Sequence, residues 1–314
     1  MEAVLEEYVG RLAPSPTGAL HLGNVRTFMV AWLRARSRGG KVILRMEDLD
    51  HPKDKPGAAS AAIEDLRWLG FDWDEEYVQS KRKGIYRDAL EALRERGLAY
   101  PCVCSRRDVE AAQSAPHAGE QLHYSGTCRG RFAGWREAFE FAGRPPCWRF
   151  RVDEGTRVGF TDEFAGAYEQ DVSATLGDFP LARDEGGAGY TLAATVDDLA
   201  MGVTEVVRGD DLLAATPAQI LVARALAQAF RTSPCDIRYC HVPLVVGPDG
   251  RRLAKRHGDT RVASYRAAGV RPEQLIGRLA ASCGWCDASE SASLGDLVGV
   301  FSLETIPHAP YILV

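Results

Sequence analysis

The chain has 314 residues, with 38 Lys and Arg against 43 Asp and Glu, for a formal charge of −5. That length exceeds a single small core and calls for two or three domains. The charge excludes a surface that attracts nucleic acid as a whole, so any RNA contact must be a local basic patch. No apolar run reads as membrane-spanning, and the acidic residues 1–7 lack a signal-peptide pattern. A reducing, cytoplasmic location follows, in which the eight cysteines are free thiols or metal ligands.

Tyr8, Val9 and Leu12 read as a strand, and Pro14 and Pro16 forbid further ladder pairing. Thr17-Gly18 turns the chain into a helix over 22–38, with Leu22, Val25, Phe28, Met29, Trp32 and Leu33 at helical spacing. A strand, a tight loop and a helix N-terminus present backbone N–H groups and a positive dipole end to an anion. Gly23, without a Cβ, allows close approach, and His21 places an imidazole N–H within reach of a phosphate. Residues 41–45 form a short strand that runs into Met46-Glu47-Asp48-Leu49-Asp50. Acids past a strand end lie where open α/β sheets place their ligands. A helix over 56–69, a strand or turn at 71–74 and an amphipathic helix over 84–96 closed by Gly97 follow. This βα alternation predicts a parallel sheet with crossover helices.

From residue 101 to 189 the βα rhythm is lost and the chain reads as an insertion. Cys102, Cys104 and Cys128 on two short loops suit a tetrahedral zinc. For the fourth ligand, general chemistry favours His117, His123 or Cys147 and puts Tyr124 last. Residues 148–158 alternate as a half-buried antiparallel strand, and 160–162 and 179–183 are expected in the same small sheet. Arg129, Arg131 and Arg136 suit an RNA backbone or a solvated face equally. Residues 189–193 return to the parallel domain. A buried strand at 203–207 places Arg208 just beyond its end, and Tyr190 and Arg208 at separate strand ends suit a carboxylate pocket. A helix over 217–230, a strand over 239–246 and a basic loop, Arg251-Arg252-Leu253-Ala254-Lys255-Arg256, come next. Helices at 272–283 and 294–300 close the chain. Cys283 and Cys286 read as buried thiols, and 310–314 shows no site.

His21-Leu22-Gly23-Asn24, after Ala13-Pro14-Ser15-Pro16-Thr17-Gly18, resembles the "HIGH" signature of class I aminoacyl-tRNA synthetases, and in detail that of the glutamyl branch. Arg45-x-Glu47-Asp48-x-Asp50 resembles a second landmark of that branch. The loop around Lys255 resembles the Lys-Met-Ser-Lys-Ser signature, with Arg252 for the first Lys, Ala254 for the Ser, and Lys255 retained. The resemblance implies an α/β fold: a Rossmann-like parallel-sheet catalytic domain (1–100 and 190–250), an inserted zinc-containing α+β subdomain (101–189), and a signature loop with a short helical C-terminal region (251–314).

It further implies a glutamate pocket of Arg11, Leu12, Ala13, Pro14, Ser15, Glu47, Tyr190 and Arg208. There Glu47 holds the α-amino group and Arg11 clamps the side-chain carboxylate. ATP, with Mg²⁺, falls to Thr17, His21, Gly23, Asn24 and Lys255. His21 and Lys255 are the catalytic pair, Lys255 meeting charge on the triphosphate. Short paralogues in the branch carry Cys-x-Cys … Tyr-x-x-x-Cys as a zinc set, which gives Cys102, Cys104, Tyr124 and Cys128. Few residues follow Lys255, too few for an anticodon-reading domain, so the chain is most similar to the glutamyl-Q tRNA(Asp) synthetases. These activate L-glutamate with ATP and attach it to queuosine in tRNA(Asp). A monomer with no membrane partner is expected. The alternatives are a truncated glutamyl-tRNA synthetase charging an acceptor end, another nucleotidyltransferase, and a non-catalytic zinc-containing RNA-binding module.

Overall fold

The computed structural model describes residues 7–16, 18–49, 56–112, 122–183, 187–230, 236–251, 253 and 259–313. The first strand, β1 (Val9–Leu12), is buried throughout, and helix α1 (Leu22–Arg36) packs its apolar stripe against it. Strand β2 (Lys41–Met46) returns parallel to β1, in register from Val9 opposite Lys41 to Leu12 opposite Leu44. Helix α2 (Ala58–Trp68) crosses to β3 (Glu75–Val78), parallel to β2. Helix α3 (Lys83–Glu95) follows, ended by Gly97 at a positive φ of 69°. The order β-α-β-α-β, with parallel pairing, matches the expected crossover architecture.

The next segment builds a small antiparallel sheet from β4 (Ala99–Cys102), β5 (Cys147–Phe150) and β8 (Phe179–Ala182), with β5 in the middle. Helices α4 (Arg106–Ala112) and α5 (Trp135–Ala142) lie between β4 and β5 in the chain. Between β5 and β8 come the hairpin of β6 (Arg157–Asp162) and β7 (Gly166–Asp171) and one turn of helix, α6 (Val172–Thr175). The chain then resumes with α7 (Tyr190–Ala200), β9 (Glu205–Gly209), α8 (Thr216–Phe230) and β10 (Arg238–Val242). Strand β10 pairs parallel with β9 on one side and β6 on the other. Thr204 joins this sheet to the first: its N–H donates to the Val9 carbonyl at 3.0 Å, and its hydroxyl accepts from the Val9 N–H at 3.0 Å. The strands therefore run β3-β2-β1-β9-β10-β6-β7, and the order reverses between β1 and β9. Open α/β sheets bind ligands outside the carboxyl ends of the strands at such a reversal.

The remaining elements pack beneath α1. Strand β11 (Val245–Val246) pairs parallel with β12 (Tyr311–Ile312), and α9 (Val262–Ala267), α10 (Pro272–Ala281) and α11 (Leu294–Leu297) complete the chain. Arg26 on α1 is almost wholly buried and ties the two regions together. Its Nε donates to the Ser282 hydroxyl at 2.9 Å and its Nη1 to the Pro243 carbonyl at 2.8 Å.

Several expectations are corrected. The strand expected over 148–158 ends at Phe150, because a turn with Gly155 at φ 72° separates it from β6. Strand β6 does not extend the small sheet; it pairs with β10 in the main one. Tyr190 opens a helix rather than ending a strand, and Arg208 lies within β9 rather than beyond it. The single strand expected over 239–246 is two, since Pro243 cannot continue the ladder. Residues 71–74 are not a strand, and β3 begins at Glu75. Its Glu-Glu-Tyr-Val sequence is that of an exposed sheet edge, with no apolar run to reveal it. The short helix α9 is unanticipated, and the terminal segment 310–314 contributes β12. Finally, the helical run Asp210–Phe230 is long and apolar enough by composition to cross a membrane. It is packed here against α3 and α7, with Ala218, Val222, Ala225 and Leu226 in a core cluster.

Arg34 on α1 crosses to the far end of β9, where its Nε lies 2.7 Å from the fully buried Glu205 and its Nη2 lies 2.8 Å from Glu163. Among the described residues, removing the guanidinium leaves Glu205 with Arg238 as its ion-pair partner, at 3.3 Å. Arg34→Ala is expected to destabilise the fold by about 3 kcal/mol, measured as a lowered urea midpoint.

Candidate active site

At the β1/β9 reversal a cavity of about 480 Å³ opens. Its floor is set by a buried ionic cluster. Arg45, on β2 and wholly shielded from solvent, donates to Asp198 at 2.5 Å and to Glu47 at 3.1 Å, with Asp197 at 3.9 Å. Arg11, on β1, has its Nε 3.5 Å from Asp198 and donates from Nη1 to the Val207 carbonyl at 2.9 Å. Asp197 in turn accepts from Gln79, Arg82 and Tyr86 at 2.9, 2.8 and 2.8 Å. Three arginines thus face three carboxylates, which is what makes their burial tolerable. Burial pushes the Glu47 carboxyl above its ordinary range, with Arg45 and Arg11 pulling against it. Burial likewise lowers Arg11, with Asp198 opposing. For Arg45 burial also acts downward, but Asp198, Glu47 and Asp197 outweigh it and hold the guanidinium charged.

The expected glutamate residues Arg11, Ala13, Pro14, Ser15, Glu47, Tyr190 and Arg208 all line this one cavity, as do His21, Gly23 and Asn24. Leu12 does not: its side chain is fully buried in the core on the other face of β1. Thr17 and Lys255 lie outside the described residues. His21 is the N-cap of α1, and its N–H faces the Asn24 side-chain oxygen at 3.5 Å. A Cβ at Gly23 would meet the His21 imidazole Nδ1 at 3.2 Å, so any side chain there would press on the ring. The helix start also meets the chain from the other end of the sequence. Leu22 N–H donates to the Thr260 carbonyl at 3.1 Å, and Val262 N–H donates to the Leu20 carbonyl at 2.9 Å. Leu253 approaches the same Gly23, its side chain 3.7 Å from where a Cβ would sit. Leu253 of the second signature and the segment that follows the signature therefore both reach the first.

Arg208 is held from several sides. Its Nε lies 2.9 Å from His241 Nε2, its Nη1 lies 3.2 Å from the Tyr190 hydroxyl, and its Nη2 donates to Thr216 at 2.7 Å. His241, Asp197 and Asp198 carried no role in the sequence reading. The acids on α7 had a signal: two adjacent carboxylates on a helix otherwise apolar or small, about two turns after Tyr190. His241 had none, being one polar residue in an apolar strand.

A second site lies in the small-sheet region. The sulfurs of Cys102, Cys104 and Cys128 lie within 4.8 Å of one another. The Tyr124 hydroxyl is 3.2 Å from Cys102 Sγ and 3.5 Å from Cys104 Sγ, and it accepts from the Cys128 N–H at 2.9 Å. The loop holding Tyr124 lies against Gly177, where a Cβ would strike the Tyr124 carbonyl at 2.1 Å. Arg149 donates to Cys102 Sγ at 3.2 Å and stacks on the Tyr124 ring at 3.9 Å. Hydrogen bonds from Cys147, against burial, and then from Tyr124, hold the Cys102 thiol down at about 4, which favours the thiolate that binds metal. His123 turns away, to the Ser173 carbonyl at 3.0 Å, and His117 lies outside the described residues. Three thiols and a phenol converging on one point fit a tetrahedral zinc.

Residues 7–296 match the family "tRNA synthetases class I (E and Q), catalytic domain". The chain is 47% identical to a glutamyl-Q tRNA(Asp) synthetase of Symbiobacterium thermophilum, over 96% of this chain and 94% of that protein. It belongs to the glutamyl-Q tRNA(Asp) synthetases of the class I glutamyl and glutaminyl family. A second such enzyme, from Rhodopirellula baltica, is 45% identical over 92% of this chain and 89% of its own length. The crystal structure of a glutamate tRNA ligase from Elizabethkingia meningosepticum, in complex with its amino acid, superposes with a TM-score of 0.81 at 26% identity. That match covers 98% of this chain and 67% of the ligase.

The cysteine geometry carries its own test. Cys104→Ser is expected to lower bound zinc from about one per chain to well below half after dialysis, read by elemental analysis.

Proposed function

We propose that this chain activates L-glutamate with ATP to glutamyl-adenylate and transfers the glutamyl group to queuosine in the anticodon of tRNA(Asp), in the cytoplasm. The observation that carries this reading is the single cavity in which an amino-acid pocket and a helix N-terminus share one wall. Arg11 and Arg208 supply cations for the substrate's carboxylates, and Glu47 supplies an anion for its ammonium. The N-terminal end of α1, where His21, Gly23 and Asn24 line the cavity, faces the ATP phosphates with its positive dipole end. Glutamate's α-carboxylate attacks the α-phosphate and pyrophosphate leaves; a queuosine hydroxyl then attacks the adenylate carbonyl, loses its proton, and AMP leaves as the ester forms. No protein nucleophile is required. Alignment and neutralisation of phosphate charge supply the rate.

On this proposal Lys255 supplies the second cation on the triphosphate, with Thr17, Gly23 and Asn24 completing the ATP site and Mg²⁺ accompanying the nucleotide. Zinc, held by Cys102, Cys104, Tyr124 and Cys128, supplies a structural cross-link between the loops that carry them. The same reading divides the chain at 1–100, 101–189, 190–250 and 251–314, with the β6–β7 hairpin reaching from the second unit into the main sheet.

The deciding experiment incubates labelled glutamate and ATP with queuosine-bearing tRNA(Asp), unmodified tRNA(Asp) and tRNA(Glu). Label is expected on the first alone. Transfer to the tRNA(Glu) acceptor end instead would establish the truncated-ligase reading. Glutamate recognition should also depend on pH. Because burial raises the Glu47 pKa, the carboxylate is neutralised at a higher pH than an exposed glutamate would be. The KM for glutamate in ATP–pyrophosphate exchange should therefore rise as pH falls, beginning above the ordinary carboxylate range. Glu47→Gln should have a high KM at every pH and lose that dependence.

A further inference from the structure

Behind Arg208 lies a chain of buried groups that the proposed chemistry does not use. Asp162 at the end of β6, His241 on β10 and Thr216 at the start of α8 are all shielded from solvent; His241 and Thr216 contact the guanidinium, and Asp162 stands behind His241. Asp162 Oδ2 lies 2.6 Å from His241 Nδ1. Its other oxygen, Oδ1, accepts from the backbone N–H groups of His241, Phe164 and Ala165 at 3.1, 3.0 and 2.8 Å. On its far side the imidazole Nε2 meets Arg208 Nε at 2.9 Å. A guanidinium has donors only, so Nε2 must be the acceptor and the imidazole proton must sit on Nδ1, pointing at Asp162. We infer that Asp162 and His241 are positioning residues for glutamate recognition: Asp162 sets the tautomer of a neutral His241, and His241 in turn aims Arg208 into the cavity.

The surroundings support a neutral ring. The groups facing it are Asp162 from β6, Arg208 from β9, the Thr216 hydroxyl from α8 at 3.2 Å and the stacked Tyr239 ring from β10. Burial, with Arg208 and Arg11 acting in the same direction, lowers the imidazole pKa against the pull of Asp162. The arrangement parallels the carboxylate–imidazole pairs that orient a third group elsewhere, where the carboxylate fixes which nitrogen is bare. Here the third group is a binding cation. Its direction matters because a planar guanidinium recognises a carboxylate through the angle of its fork.

The inference rests on Arg208 being a pocket cation, and the test separates the two claims. Asp162→Asn is nearly isosteric. Its amide oxygen keeps the three backbone N–H groups, so its NH₂ falls opposite His241 Nδ1. A donor there drives the imidazole proton to Nε2, where it confronts the Arg208 Nε–H. Glutamate and ATP KM values are read from pyrophosphate exchange, with urea midpoints to verify folding. Asp162→Asn is expected to raise the glutamate KM by about tenfold and leave the ATP KM within about twofold. His241→Phe should do the same, and Asp162→Asn added to His241→Phe should cost nothing more, because no tautomer remains to be set. His241→Gln, which restores an acceptor, should lie between wild type and His241→Phe, and it carries the test should Asp162→Asn fail to fold. Arg208→Ala is the reference. If it leaves the glutamate KM unchanged, the pocket reading of Arg208 fails. If it raises the glutamate KM while His241→Phe and Asp162→Asn behave as wild type, or raise both KM values equally, the positioning role is overturned.

Discussion

The structure depends on an ionic cluster placed where three segments of the parallel sheet and one helix meet. Arg45 on β2 and Arg11 on β1 both reach Asp198 on α7, and Asp197 beside it gathers Gln79 and Arg82 from the turn after β3 and Tyr86 from α3. None of these groups tolerates burial alone, because an unpaired charge in the interior costs several kcal/mol. Together they hold α7 against the carboxyl ends of β1 and β2. That placement brings Tyr190, at the start of α7, to the mouth of the cavity. It also leaves Glu47 at the cavity floor, where burial raises its pKa and Arg45 and Arg11 pull against that rise.

The other wall is made by the start of α1, where distant parts of the chain arrive through backbone contacts rather than side-chain chemistry. Thr260 and Val262 bond to Leu22 and Leu20, and Arg26 one turn further on reaches Pro243 and Ser282. A single helix end is thus braced by the strand before it, the loop region after β11 and the C-terminal helices. A site that works by alignment needs this rigidity, since small displacements of reacting groups cost large factors in rate. The wall that carries Arg208 is braced too, through Asp162, His241 and Thr216 behind it.

In the cysteine cluster a tyrosine, not a histidine, lies against the thiols. Histidine is the commoner partner of three thiolates, yet His123 is engaged by the Ser173 carbonyl while Tyr124 lies against two sulfurs. The reason is the close approach of Gly177 to the Tyr124 backbone, which seats the tyrosine loop so that its ring points inward beneath Arg149.

Much of this was legible in the one-dimensional chain. The Pro- and Gly-punctuated loop before α1 announced a βα connection with an open helix start, and helical spacing marked α1, α3 and α8. Short apolar runs marked β1 and β2, and the cysteine spacing marked the second site. These signals are local: turn chemistry and side-chain periodicity are written within a few residues of where they act. What only the tertiary structure decided was every feature built from partners far apart. The β6–β7 hairpin joins the main sheet because β10, some eighty residues later, offers it an edge. Strand β3 is charged and exposed, so no apolar pattern marks it. Asp198 stands out in sequence only as one of two charges on a helix otherwise apolar or small, and His241 not at all. Their roles come from the arginines they meet 153 and 33 residues away, and no local pattern encodes a contact between groups that only the folded chain brings together.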